Sequence, residues 1–328
     1  MKFISYETRE DERKDFEEIS RKLNVEIVLV EETLNENTVC LAEGCDGVTT
    51  LGQSQINKSI IDKLKEINIK YIATRTIGYN HIDVKYAKSN GIKISNAHYA
   101  PNGVAEYTVM LMLMCIRNYK QAMFRGNVND YSLIGLKGKE MKDLTVGVIG
   151  TGKIGAAVIE CLQGFKCRIL AYDKFVNESI KEKVSYVDLD TIYKESDIIT
   201  LHTPLNEETY HIINSENINK MKDGVVLINC ARGQLMHLPD LIDGIEKSKI
   251  GALGLDVVEN EEGIYHLDRR TDIISNRDMA YLRQFPNVIM TQHMAFYTDA
   301  AVTSMVRCAI NSLVSFVKND VSDCEVKY

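Results

Sequence analysis

Short runs of aliphatic and β-branched residues alternate along the chain with longer polar or amphipathic stretches. Over residues 1–95 the apolar runs are KFISY (2–6), VEIVLV (25–30), GVTTL (47–51), KYIAT (70–74) and GIKIS (91–95). Between two of them, Ser59–Ile67 sets Ile60, Ile61, Leu64 and Ile67 on one helical face. Strands alternating with helices predict a parallel sheet covered on both sides. Tyr99-Ala-Pro101-Asn breaks the pattern, and residues 104–122 (VAEYTVMLMLMCIRNYKQA) follow, apolar nearly all round. That predicts one buried helix, lodged in a core or between subunits, and it is read as a dimer helix. Residues 125–143 read as a polar surface segment. Six further strands are expected at 146–149, 168–172, 198–201, 225–229, 251–256 and 288–291, with helices at 154–165 and 238–248 among the crossovers, which is a doubly wound sheet. A last helix, 299–317, has too little sequence around it for a domain and is expected to pack back on the first unit.

The expected fold is α/β: two Rossmann-like or flavodoxin-like lobes with doubly wound parallel sheets and a cleft between them. The substrate domain would be discontinuous, 1–100 plus 297–328. The nucleotide-binding domain would be 101–296 and include helix 104–122.

At Val146–Gly155 the pattern becomes chemical. VGVIGTGKIG runs a buried strand into Gly150-Thr-Gly152-Lys153-Ile154-Gly155. Gly150 permits the turn, Gly152 lets a pyrophosphate approach the backbone, and Gly155 allows close helix–strand packing. The helix N-terminus offers N–H groups and a positive dipole end to phosphate. The next strand ends in Asp173, 23 residues after Gly150. An acid there accepts from a ribose diol and repels a 2′-phosphate, favouring NAD over NADP, although Lys174 beside it would soften the discrimination.

Composition excludes more than it adds. A net charge of −7 without a Lys/Arg block offers no nucleic-acid surface. No apolar run approaches the ~18 residues of a membrane span; the longest is Tyr107–Ile116. The N-terminus turns polar too early for a secretory signal. Eight cysteines lie scattered, with neither a CxxC pair nor zinc spacing. They read as reduced thiols in a cytoplasm, and no metal site is expected.

Ligands in doubly wound sheets bind beyond the carboxyl ends of the strands. Besides Asp173, four polar residues fall there: Arg232 after VVLINCA, Asp256 ending GALGLD, Glu261 five residues on, and His293 after VIMTQ. Arginine can hold a carboxylate with a two-pronged fork. A carboxylate beside a histidine stabilises the imidazolium, which can give a proton to a carbonyl oxygen as hydride reaches the carbon; nicotinamide is the hydride source. The set reads as reduction of a 2-oxo acid to a 2-hydroxy acid. Taken singly, Arg232 would suit a surface ion pair, His293 a structural role and Glu261 a solvated acidic loop, and spacing alone does not bring the three together.

The motifs TRTIGYNHID (74–83), HYAPNGVAEYT (98–108), VGVIGTGKIG, SDIITLHTPL (196–205), INCARGQL (228–235), LDVVENEEG (255–263) and HMAFYTDAA (293–301) resemble the D-isomer-specific 2-hydroxyacid dehydrogenases over nearly the whole chain. The resemblance implies that Arg232 binds the substrate carboxylate and carbonyl, Glu261 holds and charges His293, and His293 is the acid/base. Ile77 and Gly78 would offer backbone N–H groups to the carboxylate, with Tyr99 and Phe296 at the substrate pocket. For NAD it implies Gly150, Gly152, Lys153, Ile154 and Gly155 at the phosphates and Asp173 at the ribose. Thr203 and Pro204 would lie by the adenine, and Cys230, Ala231 and Asp256 by the nicotinamide. It further implies lobe closure and a homodimer. Residues 74–118 and Phe296-Tyr297 look like the D-lactate dehydrogenase branch, closer still to the D-lactate-forming enzymes of vancomycin-resistant cell walls.

The chain departs from that pattern at three places. His237 stands where an aspartate would cap the next helix, and Pro239 partly compensates; a functional histidine near the cleft is the other reading of His237. Gln292 replaces the usual proline, and Met294 replaces a smaller residue, which weakens the case for pyruvate. His202 is expected to face the cofactor cleft, and His202, His81 and His98 are read as hydrogen-bonding structure. The expected function is an NAD-dependent D-2-hydroxyacid dehydrogenase reducing pyruvate to D-lactate. The alternatives are larger 2-oxo acids (2-oxoisocaproate, phenylpyruvate, 2-oxoglutarate) or an NAD(H)-sensing corepressor-like binding protein, for which the chain lacks added peptide-binding segments.

Overall fold

The computed structural model describes residues 1–327, which divide into two compact units: Met1–Ala100 together with the chain from Tyr297 onward, and Pro101–Phe296.

In the first unit, β1 (Lys2–Ser5), β2 (Glu26–Leu29), β3 (Gly47–Thr50), β4 (Tyr71–Thr74) and β5 (Lys93–Asn96) form a parallel sheet in the order β2-β1-β3-β4-β5. Helices α1 (Arg13–Leu23), α2 (Lys58–Glu66) and α3 (Val84–Ser89) are the crossovers. α2 buries Ile60, Ile61 and Leu64 and starts where the Asn57 side chain accepts from Ile60 N–H, the usual asparagine cap. The C-terminal helix, Asp299–Asn319, is long and apolar enough to cross a membrane. Here it is a core element: Val306, Ala309, Ile310 and Leu313 pack with Phe3, Phe16 and Ile19, and each fully buried aliphatic side chain contributes roughly 1.5–3 kcal/mol. Arg75, fully buried, directly follows β4. Its guanidinium meets Glu12 at 2.9 Å and donates to Ser5 Oγ and to the carbonyls of Tyr6 and Glu7, each at 3.0 Å. Within TRTIGYNHID, this arginine is structural.

In the second unit, α4 (Asn102–Ile116) and α5 (Tyr119–Asn127) precede a sheet of β6 (Thr145–Ile149), β7 (Arg168–Tyr172), β8 (Ser185–Tyr186), β9 (Ile198–Leu201), β10 (Val225–Asn229), β11 (Ile250–Leu255) and β12 (Val288–Met290). All strands are parallel, in the order β12-β11-β10-β9-β6-β7-β8. The direction of growth reverses between β6 and β9, which is the doubly wound switch point. Crossovers include α6 (Lys153–Gln163), α7 (Leu189–Glu195), α8 (Ser215–Lys220), α9 (Leu238–Glu246) and α10 (Arg277–Leu282).

Three details differ from the sequence reading. There is a seventh strand, β8, two residues long and placed at the edge, too short to carry an apolar run. The helix expected at 104–122 is two helices, because Asn118 adopts a left-handed backbone (φ 51°) and its amide donates to the Lys137 carbonyl; asparagine tolerates that conformation better than most residues. Nor is residue 125–143 a uniformly polar segment, since Tyr131, Leu133 and Ile134 are about four-fifths exposed there.

Candidate active site

β6 delivers the glycine turn. Gly150 has φ +95°, and a Cβ on it would lie 2.6 Å from the His202 carbonyl carbon. A Cβ on Gly155 would lie 1.9 Å from the Gly150 oxygen, whereas one on Gly152 would meet nothing within 4 Å. Two glycines are therefore required by the fold itself, and the third keeps a face of the loop open. Gly152 is also the N-cap of α6 and supplies no side-chain cap, in contrast to Asp188, Asn214 and Asn276, which cap α7, α8 and α10. Lys153 is exposed and Ile154 half-buried at the first turn. The Thr203 hydroxyl is buried with no partner among the described residues, Pro204 beside it is exposed, and Asp173 is half-buried just past β7. An open glycine face, an uncapped eleven-residue helix and an orphaned hydroxyl fit a dinucleotide.

Asp173 is fixed by Thr151 N–H (2.6 Å) and Phe175 N–H (3.1 Å). Lys174 is paired with Glu208, so its charge is offset locally. His202 stands at the switch point beside Thr200 Oγ1, 2.9 Å from Nε2. Burial pushes its pKa down to about 3, so it is a neutral hydrogen-bonding group.

β10, β11 and β12 supply the rest. His293 Nδ1 lies 2.5 Å from Glu261 Oε1, and the other oxygen of Glu261 accepts from Val258 N–H at 2.8 Å. His293 has φ +53°, an uncommon backbone for a non-glycine residue. It is held there from several sides. Its N–H donates to the Asp256 carbonyl (2.8 Å), and His266 Nε2 meets its carbonyl (3.1 Å). Asp256, fully buried, accepts from Thr291 Oγ1 (2.6 Å), Met294 N–H (2.9 Å) and Ala295 N–H (2.8 Å). The Phe296 ring lies edge-on to His293, centroids 6.4 Å apart. The buried Tyr265 hydroxyl has no partner among the described residues; burial, then the charges of Glu261 and Asp256, push its pKa up.

Arg232 follows β10 through a turn fixed by Asn229, whose side chain accepts from Ala231 N–H (2.9 Å) and donates to the Arg232 carbonyl (2.8 Å). The Arg232 guanidinium donates to the Ala231 carbonyl at 2.5 Å. A Cβ on Gly233 would lie 2.1 Å from the Val258 carbonyl carbon, so this turn packs directly on the loop that carries Glu261. Cys230 is buried, and desolvation, then the Asp256 charge, push its thiol up and keep it protonated.

His237 is the N-cap of α9 and makes no side-chain cap bond; it pairs with Asp240 at 2.9 Å. The capping acceptor comes from elsewhere, as Glu259 Oε2 accepts from Leu238 N–H (3.1 Å) while Oε1 meets His211 Nε2 (2.6 Å). In the first unit, the Ile77 carbonyl accepts from Asn96 Nδ2 (2.7 Å) and the Gly78 carbonyl from Thr76 Oγ1 (2.6 Å). In a trans peptide the N–H opposes its carbonyl, so the Gly78 N–H points away from Asn96. Tyr99 is half-buried in the same unit.

Sequence reasoning passed over Asn229, Thr291, His211, Tyr265 and His266. A polar residue inside the run VVLIN was the available signal for Asn229; the others carried none.

Residues 109–295 match the family model described as D-isomer specific 2-hydroxyacid dehydrogenase, NAD binding domain. The chain is 43% identical to an aromatic 2-oxoacid reductase of Clostridium sporogenes over 96% of each chain. It is 36% identical to a D-lactate dehydrogenase of Lactiplantibacillus plantarum over the whole of both. Its fold superposes on a D-2-hydroxyisocaproate dehydrogenase structure with a TM-score of 0.89 at 32% identity, covering 99% of each chain.

Proposed function

We propose, for a chain that belongs to the D-isomer-specific 2-hydroxyacid dehydrogenase family and uses NAD, that it reduces a 2-oxo acid with a large or aromatic side chain to the D-2-hydroxy acid. The observation that carries the reaction is the His293–Glu261 pair. With Nδ1 engaged by the carboxylate, Nε2 is the nitrogen that exchanges a proton with the substrate oxygen, and Glu261 stabilises the charged ring. NADH, when bound, supplies the hydride. Arg232 would clamp the substrate carboxylate and polarise its carbonyl, Ile77 and Gly78 would give backbone N–H groups to the carboxylate, and Tyr99 and Phe296 would flank the side chain. Gly150, Gly152, Lys153, Ile154 and Gly155 would hold the pyrophosphate, and Asp173 the ribose. Thr203 and Pro204 would line the adenine side, and Cys230, Ala231 and Asp256 the nicotinamide side.

Substrate size is argued from the relatives. Identity is higher to the aromatic 2-oxoacid reductase than to the D-lactate dehydrogenase, and Met294, flexible and apolar, follows the acid/base directly. Pyruvate is the second reading, supported by full-length similarity to the D-lactate dehydrogenase. NADH oxidation across pyruvate, 2-oxobutyrate, 2-oxoisocaproate, phenylpyruvate and 2-oxoglutarate separates them. We expect the highest kcat/KM on phenylpyruvate; a maximum on pyruvate reverses the assignment. NADH binding without turnover of any 2-oxo acid, or full activity in His293→Ala, would refute the dehydrogenase reading. We also place the protein in the cytoplasm, on its free cysteines, as a homodimer. The exposed Met123, Phe124, Leu133 and Ile134 support the dimer. Light scattering of Leu133→Asp/Ile134→Asp should find monomer where the parent is a dimer; a parent that runs as a monomer ends that reading.

A further inference from the structure

Away from these residues the first unit holds a close pair of thiols. Cys308 lies on the C-terminal helix and Cys324 on the tail that follows it; their sulfurs are 3.2 Å apart and both residues are half-buried. The tail is fastened to the sheet edge, with Val326 N–H donating to the Ile94 carbonyl (2.9 Å) and Glu325 bridging Ser95. Both cysteines bear on Asn96. The Cys308 thiol contacts its carbonyl at 3.7 Å, and the Asn96 N–H donates to the Cys324 carbonyl at 3.2 Å. Asn96 in turn holds the Ile77 carbonyl through its side chain.

We propose that Cys308 and Cys324 form a peroxide-oxidisable pair, and that their disulfide is felt at the Ile77–Gly78 turn through Asn96. The second half of this rests on the reading of that turn as a substrate-carboxylate contact. The thiolate of Cys324 attacks one oxygen of hydrogen peroxide, the O–O bond breaks, and hydroxide leaves to become water. Cys324 is then a sulfenic acid. The Cys308 sulfur attacks it, the S–O bond breaks, and the hydroxyl departs as water with the Cys308 proton. Two thiols and one peroxide become one disulfide and two waters. Burial pushes the Cys308 thiol up to about 11, so its thiolate is scarce and it serves as the resolving partner. Oxidation removes the S–H at the Asn96 carbonyl and draws helix and tail together on either side of that residue.

The test uses reduced, full-length protein exposed to stoichiometric hydrogen peroxide and then alkylated. Tryptic cleavage after Arg307, Lys318 and Lys327 puts the two cysteines on different peptides, so the disulfide appears as a cross-linked pair two hydrogens lighter than the sum. The pair should form before any other cysteine is oxidised in quantity. The KM for the 2-oxo acid should rise about five-fold, as expected for one lost hydrogen bond, with NADH affinity unchanged and full recovery in dithiothreitol. Cys308→Ser/Cys324→Ser should keep the reduced activity and lose the response. Failure to cross-link ahead of the other cysteines, or an unaltered peroxide response in the double variant, overturns the proposal. Asn96→Asp, which cannot donate to the Ile77 carbonyl, separates its two halves. If cross-linking leaves KM unchanged while Asn96→Asp raises it, the coupling is wrong. If neither moves KM, the carboxylate role of the turn is wrong, and the coupling falls with it.

Discussion

Asp256→Asn removes no atoms from the site and should nevertheless damage it. The Asp256 carboxylate is fully buried and accepts three hydrogen bonds, two of them from the backbone N–H groups of Met294 and Ala295, on opposite oxygens. An amide has one acceptor oxygen. With that oxygen toward Met294 and Thr291, the NH₂ faces the Ala295 N–H; turned over, it faces the Met294 N–H. The threonine hydroxyl can rotate to accept, but a backbone N–H cannot, so either orientation leaves one buried donor unpaired. A lost bond to a charged acceptor is worth about 1.5–3 kcal/mol, and an orphaned donor costs about 1–3 kcal/mol. The total, roughly 2.5–6 kcal/mol, corresponds to a fall in Tm of about 5–24 °C for a unit of this size. The chain can relieve part of this by moving residues 291–295, which carry His293, and a displacement near 1 Å costs about a hundredfold in rate. Thermal melting and steady-state NADH oxidation read the two consequences. A variant that melts within about 2 °C of the parent and keeps its kcat/KM would refute the reasoning, because it would mean that the carboxylate is not what holds the histidine loop.

Other expectations follow from the same kind of accounting. Arg75→Met leaves the buried Glu12 with only Arg9, its guanidinium at 3.8 Å and its N–H at 3.0 Å, and should cost up to about 3–5 kcal/mol in urea unfolding, while adding Glu12→Gln should restore part of it; equal stabilities of the single and double variants would contradict the pairing. Gly155→Ala forces a Cβ to within 1.9 Å of the Gly150 oxygen, so NADH affinity by fluorescence titration should fall at least about tenfold, and an unchanged Kd would show that the turn is not rigid. His202 has its pKa lowered by burial to about 3. Stability it supports is therefore complete above the ordinary histidine value near 6.5 and is lost as pH falls from there, because the unfolded chain takes up a proton that the folded chain refuses. His202→Gln should flatten the decline in urea midpoint between about pH 6.5 and 4; a decline identical to the parent's would assign the acid sensitivity to other groups.

The strands were legible because a parallel sheet covered on both faces writes each strand as an unbroken apolar run, and the runs VGVI, IITL and VVLIN are buried throughout. β8 was not legible, since two residues beside the charged stretch Lys181–Lys183 carry no period. The interruption at Asn118 was hidden for a different reason: its cause lies in the segment around Gly138, which packs so closely that a Cβ there would meet the Ile116 oxygen at 2.6 Å. At the candidate site the chemistry-bearing types could be read from the strand ends, but the pairing of Glu261 with His293 came from the family resemblance and not from the residues themselves. Nothing in the run ENEE tells which glutamate turns toward His293 and which caps α9, and in the fold Glu261 does the first and Glu259 the second. The missing aspartate at 237 is a related case. The helix start needs an acceptor, not a particular position in the chain, and a residue 21 positions away supplies it.

One construction recurs through the second unit and explains why its polar strand-end residues matter before any ligand arrives. Asp173 takes the N–H groups of Thr151 and Phe175, Asn229 that of Ala231, Asp256 those of Met294 and Ala295, Glu259 that of Leu238, and Glu261 that of Val258. In every case a side chain at or just past a strand's carboxyl end accepts from the amides of a neighbouring loop or helix start. Loops so held need little reordering when a substrate arrives, and preorganised positions are where electrostatic stabilisation of a developing charge is strongest. The same economy makes the site fragile in a particular way. Asp173, Asp256 and Glu261 each have both a structural amide and a proposed chemical partner, so their substitution moves stability and turnover together. His293 is anchored twice, by its backbone N–H on the Asp256 carbonyl and by its ring Nδ1 on Glu261, so removing the ring keeps the backbone anchor and costs the fold only the contact to one Glu261 oxygen.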